Sequence, residues 1–346
     1  MSTVAPVVVT PVIASLLERL GHRGPLSPTI AGSAGSGRAY WRIATGDLTH
    51  IVLQSHEQDA DYDRFLSITR HLRDLGLRVP MVFGSDDPAR QVVLEDLGST
   101  LLLSQAHALG FPGSGDPESL RGVYLPALEA LARWQAVGPR AMEGCTFLSD
   151  RVFDLGPLLW ETSYFARRCA EECFGLPSQR LAEPALLAEF AHLALRVEAH
   201  PRNLMHRDFQ SQNLMRRTDG IWFIDYQGAR GGSRWYDLAS LLWDPYVDMP
   251  MALRARLFAD FLELAGDGAP GTSWTDLLDA ALQRVMQALG AYGFLSRHKE
   301  LPWFSQFLEP GLRILRETLL ERGGHPALLD LVEELLAVER PSAEPN

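Results

Sequence analysis

The segment Leu-Met-His-Arg-Asp-Phe-Gln-Ser-Gln-Asn-Leu-Met at residues 204–215 constrains this chain more than any other feature. It places Asp208 and Asn213 on a polar stretch between two short apolar runs, and a third apolar run at residues 222–224 ends at Asp225. The polar stretch is expected to lie just after the predicted helix at residues 183–199, and the apolar runs at residues 214–215 and 222–224 are expected to be strands. We therefore expect the polar stretch to form a loop that carries Asp208 at the surface of a core.

The residue types in this segment suit one kind of chemistry. Transfer of a phosphoryl group from ATP requires an acceptor hydroxyl held in line and magnesium held over the phosphates. Asp208 is the candidate general base, while Asn213 and Asp225 offer the oxygen ligands that Mg²⁺ prefers. His206 and Arg207 are expected to support the loop. An accidental surface turn would explain any one of these residues, but the ordered set favours the functional interpretation.

The spacing of the segment also matches a known motif. His-Arg-Asp, followed after four residues by Asn, is the pattern of a kinase catalytic loop. Short motifs have a high false-positive rate, so the motif gains its weight from Asp225, which follows an apolar strand as a metal-binding Asp would. The segment predicts a kinase that uses ATP and Mg²⁺.

Composition excludes several other classes of protein. The 346 residues carry a formal net charge of −11, which argues against a nucleic-acid partner because such a partner requires a basic face. No apolar run reaches membrane-spanning length, and the apolar start at residues 4–11 lacks the basic residues of a signal peptide and is broken by prolines. We expect a cytoplasmic enzyme with no membrane partner.

The three cysteines, Cys145, Cys169 and Cys173, are too few for a disulfide framework in a chain of this length. Cys169 and Cys173 lie four residues apart on a predicted helix without a second pair to complete a metal site. We interpret both as ordinary helix residues.

The first hundred residues alternate between helical and strand patterns. Residues 11–20 and 59–75 place apolar side chains at helical spacing and are each followed by a glycine. Five strands are predicted. The first leads into a Gly-rich turn within residues 30–38, and the others are residues 39–44, 50–54, 79–83 and 91–95. Five strands with one inserted helix suit a nucleotide-binding lobe, although a small α+β domain of any kind has the same order.

The Gly-rich turn contains Gly32, Gly35 and Gly37. Glycines allow backbone N–H groups to approach phosphates closely, so the turn is a candidate phosphate-binding element. A Gly-rich hairpin without a ligand is an equally good interpretation, because short glycine patterns occur often by chance. Glu95 and Leu97 begin the connector that would act as a hinge over the nucleotide.

The rest of the chain is mainly helical. Helices are predicted at residues 104–108, 118–137, 158–174, 183–199, 250–265, 274–297, 303–322 and 326–338, and from Tyr236 onward. Residues 227–233 are predicted to be irregular, and residues 340–346 to be a disordered tail. The domain prediction is an N-terminal lobe at residues 1–97 and a helical lobe at residues 98–339.

Taken together, these motifs resemble the aminoglycoside phosphotransferase family of small-molecule kinases. The resemblance covers residues 30–336 and is most specific at residues 206–213, 224–230 and 236–246. These motifs are most similar to the branch of cell-wall amino-sugar kinases, which phosphorylate the anomeric hydroxyl of N-acetylmuramate or N-acetylglucosamine. The resemblance implies an α+β, bilobal protein-kinase-like fold with a small β-rich N-lobe and a larger helical C-lobe. It also implies that Asp237 braces the catalytic loop.

The chain departs from the kinase pattern at one position. Residues 50–54 should carry the lysine that pairs with the α- and β-phosphates, but Gln54 stands there and Lys299 is the only lysine of the chain. Arg42 on the preceding strand or Arg38 in the turn can supply the charge, because arginine pairs well with phosphate. Both can equally be solvated strand residues. The kinase pattern also places an acidic partner for this positive charge on the following helix. The candidates for it are Glu57, Asp59, Asp61 and Asp63.

The acceptor site is less defined by the sequence. The polar and aromatic candidates near predicted helix ends are Asp150, Arg151, Glu161, Arg230, Asp244, Tyr246 and Lys299. Each is better interpreted as a surface or structural residue, because charged side chains are mostly exposed. An aminoglycoside would require an acidic cleft, whereas an acidic sugar such as N-acetylmuramate would require a nearby Arg or Lys.

These observations predict a kinase that transfers the γ-phosphate of ATP to the hydroxyl of a small sugar, with the cell-wall amino sugars as the expected acceptors. The alternatives are a kinase for aminoglycosides or other small molecules, and a pseudokinase-like module that binds nucleotide without transferring phosphate. The missing lysine keeps the second alternative open.

Overall fold

The computed structural model of the chain describes residues 7–33, 38–266 and 273–338. They form an α+β fold in which an antiparallel sheet near the N-terminus is followed by a larger, mostly helical part. The predicted α+β class is confirmed. Gly35, Gly37 and the predicted tail at residues 340–346 lie outside the described residues.

The N-terminal part contains five strands and two helices, as the alternating patterns predict. The helices are α1 (Pro11–Arg19) and α2 (Tyr62–Asp74). The strands are β1 (Pro28–Ser33), β2 (Ala39–Thr45), β3 (Leu48–Gln54), β4 (Val82–Asp86) and β5 (Gln91–Glu95), in the order β1-β2-β3-β5-β4. β4 lies later than the predicted strand at residues 79–83, because Pro80 has no N–H to donate to a ladder.

The sheet separates two hydrophobic clusters, and β3 contributes to both because its side chains alternate between faces. Val52 packs with residues of α1, whereas Ile51 and Leu53 join α2 and the main core of the chain. The same main core continues without a break into the helical part. The sheet is thus fixed to the helical part through one of its faces and through α2.

The helical part is built around a long central helix. Its helices are α3 (Leu102–Ala108), α4 (Pro117–Gly144), α5 (Thr146–Ser149), α6 (Leu155–Tyr164), α7 (Glu172–Phe174), α8 (Ser178–Leu181), α9 (Pro184–Glu198), α10 (Tyr236–Leu242), α11 (Met251–Ala265), α12 (Trp274–His298), α13 (Leu308–Arg322) and α14 (Pro326–Ala337). α12 is buried along most of its length and contacts α6, α9, α10 and α13. None of the helices in the described residues is long and apolar enough to cross a membrane.

Two short antiparallel pairs of strands hold the segment at residues 204–215. β6 (Arg202–Met205) pairs with β9 (Arg230–Ser233), and β7 (Leu214–Arg217) pairs with β8 (Gly220–Phe223). The prediction that the catalytic loop directly follows a helix was wrong, as was the prediction that residues 227–233 are irregular throughout. β6 and β9 have only four residues each, and the two glycines of β9 give no strand signal in the sequence.

Three helix predictions also needed correction. α4 continues seven residues beyond the predicted end at residue 137, through Pro139. The predicted helix at residues 158–174 is α6 and α7 joined by a π-helical segment, Phe165–Glu171. The predicted helix at residues 303–322 is a 3₁₀ segment, Pro302–Phe307, followed by α13. Tertiary packing overrides local propensity in each case, and the packing of α4 on β6 illustrates this.

Replacement of Gly138 by Ala should destabilise the fold, because the added methyl group would meet Asn203 Oδ1 and Leu204 Cβ on β6. We expect a loss of about 1–3 kcal/mol in the free energy of unfolding, measured by urea denaturation. Gly122→Ala on the same helix is the matched control, since its methyl group would meet open space. The control should be stabilised by about 0.5–1 kcal/mol. Equal effects of the two substitutions would show that α4 does not depend on this close approach.

Candidate active site

The loop after β6 is held in place by the buried carboxylate of Asp237 at the start of α10. Asp237 accepts hydrogen bonds from the backbone N–H groups of His206 at 2.7 Å and Arg207 at 2.9 Å. Arg207 has a φ of 81°, a left-handed conformation that non-glycine residues rarely adopt. The hydrogen bonds from Asp237 therefore hold a strained turn in the residue before Asp208. Burial raises the pKa of Asp237 to about 7, and the two N–H groups oppose that rise.

His206 connects this loop to the strand that precedes Asp225. Its Nε2 atom donates a hydrogen bond to the carbonyl oxygen of Ile224 at 3.1 Å. The ring packs among Trp134 and Phe209, and burial lowers the pKa of His206 to about 4. The imidazole is therefore neutral at physiological pH and suited to a supporting position.

A second buried carboxylate, that of Asp244, holds the other end of the loop. It accepts hydrogen bonds from the N–H of Ser211 at 2.9 Å, from the hydroxyl of Ser211 at 2.5 Å and from the N–H of Tyr246 at 3.0 Å. Asp244 and Tyr246 were weighed as acceptor-site candidates from the sequence, but both are buried behind the loop. The sequence gives no local signal for this contact, which spans 33 residues.

The structure brings Asp208, Asn213 and Asp225 together. The side-chain amide of Asn213 donates to the carbonyl oxygen of Asp208 at 2.8 Å, and the N–H of Ile224 donates to the carbonyl oxygen of Asn213 at 3.1 Å. Asp225 lies two residues after the end of β8 and has a φ of 62°, so the chain turns sharply at this residue. Burial and then the neighbouring charge of Asp208 raise the pKa of Asp225. Two carboxylates and one side-chain amide thus lie close together at this loop.

Arg284 in the middle of α12 lies close to Asp208. Its Nη2 atom lies 3.7 Å from Asp208 Oδ1, and its Nε atom donates to the hydroxyl of Ser240 at 2.8 Å. Arg284 is almost completely buried. Sequence reasoning missed this residue, although a single arginine within an otherwise apolar stretch of α12 was an available signal.

Directly before β2, Arg38 forms a buried ion pair and acts electrostatically on Asp225. Its Nε atom donates to Asp59 Oδ2 at 2.7 Å, and its side chain is 1% exposed. Nη1 and Nη2 of Arg38 have no hydrogen-bond acceptor among the described residues. Burial opposes ionisation of Asp59, but hydrogen bonds from Arg38, Ser55 and the N–H of Asp61 lower its pKa to about 2. Among the four acidic candidates at residues 57, 59, 61 and 63, Asp59 is therefore the one that pairs with Arg38.

The second arginine candidate, Arg42, is engaged at the connector between the sheet and the helical part. It forms a bidentate pair with Asp96, at 2.6 and 2.9 Å, and donates to the carbonyl oxygen of Gly98 at 2.9 Å. The side chain of Glu95 accepts from Arg217 at 2.7 Å. Both carboxylates therefore bind arginines of the protein.

Two further nucleotide-binding candidates lie near this connector and in β1. Leu97 is buried in a small apolar cluster with Met215 and Trp222. Gly32 lies opposite Tyr40 in β1, and none of the residues that the structure describes would lie within 4 Å of a methyl group added to it.

The remaining acceptor-site candidates are divided between core and surface. Glu161 on α6 is fully buried and accepts from the hydroxyl of Tyr236 at 2.8 Å and from Gln283 Nε2 at 3.0 Å. Burial raises the pKa of Glu161 to about 7. Asp150 and Lys299 are exposed. Arg151 and Arg230 lie next to the catalytic loop.

Comparison with known proteins places the chain in a family. The model of the phosphotransferase enzyme family matches residues 29–278 of the chain. An N-acetylmuramate/N-acetylglucosamine kinase of Pseudomonas aeruginosa is 25% identical over 327 residues, which cover 93% of this chain and 91% of that protein. A protein of the same name from Pseudomonas putida is 23% identical over 321 residues, covering 91% of this chain and 90% of that protein.

Solved structures share the fold. A choline/ethanolamine kinase family protein from Mesorhizobium loti has a TM-score of 0.59 at 13% identity, covering 94% of this chain and 96% of that one. An ADP-bound aminoglycoside phosphotransferase has a TM-score of 0.56 at 15% identity, covering 89% of this chain and 98% of that one. These likenesses concern the fold alone, and they confirm the predicted bilobal protein-kinase-like architecture.

Asp237→Asn should weaken the loop, because an amide offers only one oxygen to two N–H groups and places its own donors against them. We expect a loss of about 1–3 kcal/mol in the free energy of unfolding, measured by urea denaturation. Asp330→Asn, at an exposed position on α14, is the control and should change stability by less than about 0.5 kcal/mol. An Asp237→Asn protein as stable as the control would contradict the bracing role.

Proposed function

Because the chain belongs to the phosphotransferase enzyme family, we propose that it transfers the γ-phosphate of ATP to the anomeric hydroxyl of an amino sugar, N-acetylmuramate or N-acetylglucosamine. The predicted resemblance to this family is confirmed by the match over residues 29–278. The acceptor is inferred from the names of the Pseudomonas relatives. The observation that carries the proposal is the convergence of Asp208, Asn213 and Asp225 at one loop.

Asp208 is proposed as the general base. It lies on a loop whose two ends are fixed by Asp237 and Asp244, so its carboxylate has a defined position. Arg284 at 3.7 Å limits the orientations of that carboxylate further. In this position Asp208 would accept the proton of the sugar hydroxyl as the hydroxyl oxygen attacks the γ-phosphorus and the bond from that phosphorus to the departing ADP oxygen breaks.

The other two residues suit a magnesium ion. The amide nitrogen of Asn213 is used by the Asp208 carbonyl, so its oxygen remains available as a ligand. Burial and then repulsion from Asp208 raise the pKa of Asp225, and a divalent cation would relieve that repulsion. When bound, Mg²⁺ would neutralise charge on the nucleotide phosphates.

Arg38 is proposed to take the place of the absent lysine. Its Nε atom is held by Asp59, and its two terminal nitrogens have no acceptor among the residues described. A buried N–H group without an acceptor is costly, and phosphate oxygens would satisfy two of them. Arg42 is a weaker candidate, because Asp96 and Gly98 occupy its guanidinium group.

The proposed reaction is tested by measuring Mg²⁺-dependent ATP consumption with N-acetylmuramate, N-acetylglucosamine and kanamycin as separate acceptors. We expect turnover with an amino sugar and a decrease of about 10²- to 10⁴-fold in kcat for Asp208→Asn, because the general base is lost. Asp330→Asn should retain full activity. Turnover with kanamycin alone would favour an aminoglycoside acceptor, and ATP binding without turnover on any acceptor would favour a non-catalytic module.

Arg38→Gln should weaken nucleotide binding about tenfold or more, because a charge-assisted contact with phosphate is lost. The measurement is titration calorimetry with ADP in the absence of divalent metal. Arg38→Lys should retain part of the affinity, since it keeps the charge. Arg70→Gln, at an exposed position on α2, is the matched control. Unchanged ADP affinity in Arg38→Gln/Asp59→Asn, in which no buried charge is left unpaired, would refute the assignment.

A further inference from the structure

Four arginines from separate parts of the chain gather beside the catalytic loop, and we call them the arginine cluster. Arg64 lies on α2, Arg151 precedes α6, Arg207 is in the loop itself and Arg230 begins β9. Burial, and then repulsion from the other three arginines, lowers the pKa of Arg230 to about 10. Burial and the same neighbours lower the pKa of Arg151. Four like charges are thus held together by the fold.

Carboxylates lie near this cluster, since Asp208 acts electrostatically on Arg207 and Arg230 and Asp61 on Arg151, but direct ion pairs are few. Arg64 forms an ion pair with Asp61, but Arg151, Arg207 and Arg230 form none with any carboxylate in the described part of the chain. Within the same described residues, Arg230 Nη2 and Arg64 Nε are buried without a hydrogen-bond acceptor. Buried donors without acceptors are costly, so their retention points to a ligand that supplies acceptor oxygens.

The arginine cluster surrounds the short segment at residues 227–230. Arg230 Nε donates to the carbonyl oxygen of Gly228 at 2.9 Å, and Arg151 Nη1 lies 3.5 Å from the carbonyl oxygen of Gln227. A methyl group placed on Gly228 would lie 3.7 Å from Arg207 Cδ and 4.0 Å from Asp208 Oδ2. Arg207 of the arginine cluster and the carboxylate of Asp208 therefore both border a position that has no side chain.

We propose that the arginine cluster binds the carboxylate of an acidic acceptor sugar while the reacting hydroxyl is held at Asp208. This inference rests on the proposed function, because the reacting hydroxyl lies at Asp208 only if Asp208 is the general base. Arginine forks pair with both oxygens of a carboxylate, and several donors from different elements would fix its orientation. A local group of four cations in a chain of net charge −11 is not explained by general basicity. The same cluster would repel a polycationic aminoglycoside.

N-acetylmuramate and N-acetylglucosamine form a matched pair of acceptors, because they differ by the lactyl group that carries the carboxylate. For Arg230→Gln and Arg151→Gln we expect KM for N-acetylmuramate to rise about tenfold or more, while KM for N-acetylglucosamine changes by less than about twofold. Arg313→Gln, on the exposed side of α13, is the control and should change neither value. An equal rise for both sugars in the two variants would overturn the proposal, because it would indicate a purely structural role.

Inorganic phosphate provides the second arm of the test, since a free anion has the same chemistry as an acceptor carboxylate. We expect phosphate to compete with N-acetylmuramate and not with N-acetylglucosamine. Loss of phosphate binding in Arg230→Gln, with an unchanged ratio of the two KM values, would assign the site to a free anion and overturn the acceptor assignment.

The same site can be tested if the proposed reaction fails. If the wild-type protein phosphorylates neither sugar, titration calorimetry would measure the binding of each sugar directly. Preferential binding of N-acetylmuramate that is lost in Arg230→Gln would support the arginine cluster as a carboxylate site. Equal binding of the two sugars, or no binding of either, would overturn it.

Discussion

The acceptance of two backbone hydrogen bonds by Asp237 is the interaction on which the rest of the candidate site depends. These bonds hold Arg207 in a left-handed conformation that its own side chain disfavours, and the direction of Asp208 follows from that turn. Asn213 is in turn positioned by the carbonyl oxygen of Asp208, and Ile224, the residue before Asp225, donates to Asn213. The buried carboxylate of Asp237, together with that of Asp244 at the other end of the loop, thereby sets the relative positions of these three polar groups.

Negative and positive side chains lie close together around the loop that carries Asp208. Arg284 of α12 lies 3.7 Å from Asp208, Arg38 acts electrostatically on Asp225, and Arg230 of the arginine cluster acts on Asp208. Guanidinium groups remain protonated even when buried, whereas a buried lysine readily loses its proton. A chain that relies on arginine at these positions keeps a fixed pattern of positive charge around this loop across the physiological pH range.

Much of the fold and of the candidate site could be predicted from local sequence. The other features depend on contacts between residues that are distant in the sequence. The five strands and α2 follow from short-range periodicity, and Asp208, Asn213 and Asp225 follow from the spacing of polar residues between apolar runs. Arg284 was missed because its contact with Asp208 joins residues far apart in sequence, and Asp59 could not be separated from three nearby acids for the same reason. β6 and β9 were missed because their strand character comes from pairing with each other.

The buried guanidinium of Arg38 has a consequence for chemical labelling of the protein. Reagents that carry an activated acyl group on a nucleotide react with the side-chain amine of a lysine, and a guanidinium group is far less nucleophilic. The chain has no lysine before Lys299, which lies at the end of α12. A survey of nucleotide-binding proteins that relies on lysine acylation would therefore not detect this protein through its N-terminal part, even under conditions where the nucleotide is bound.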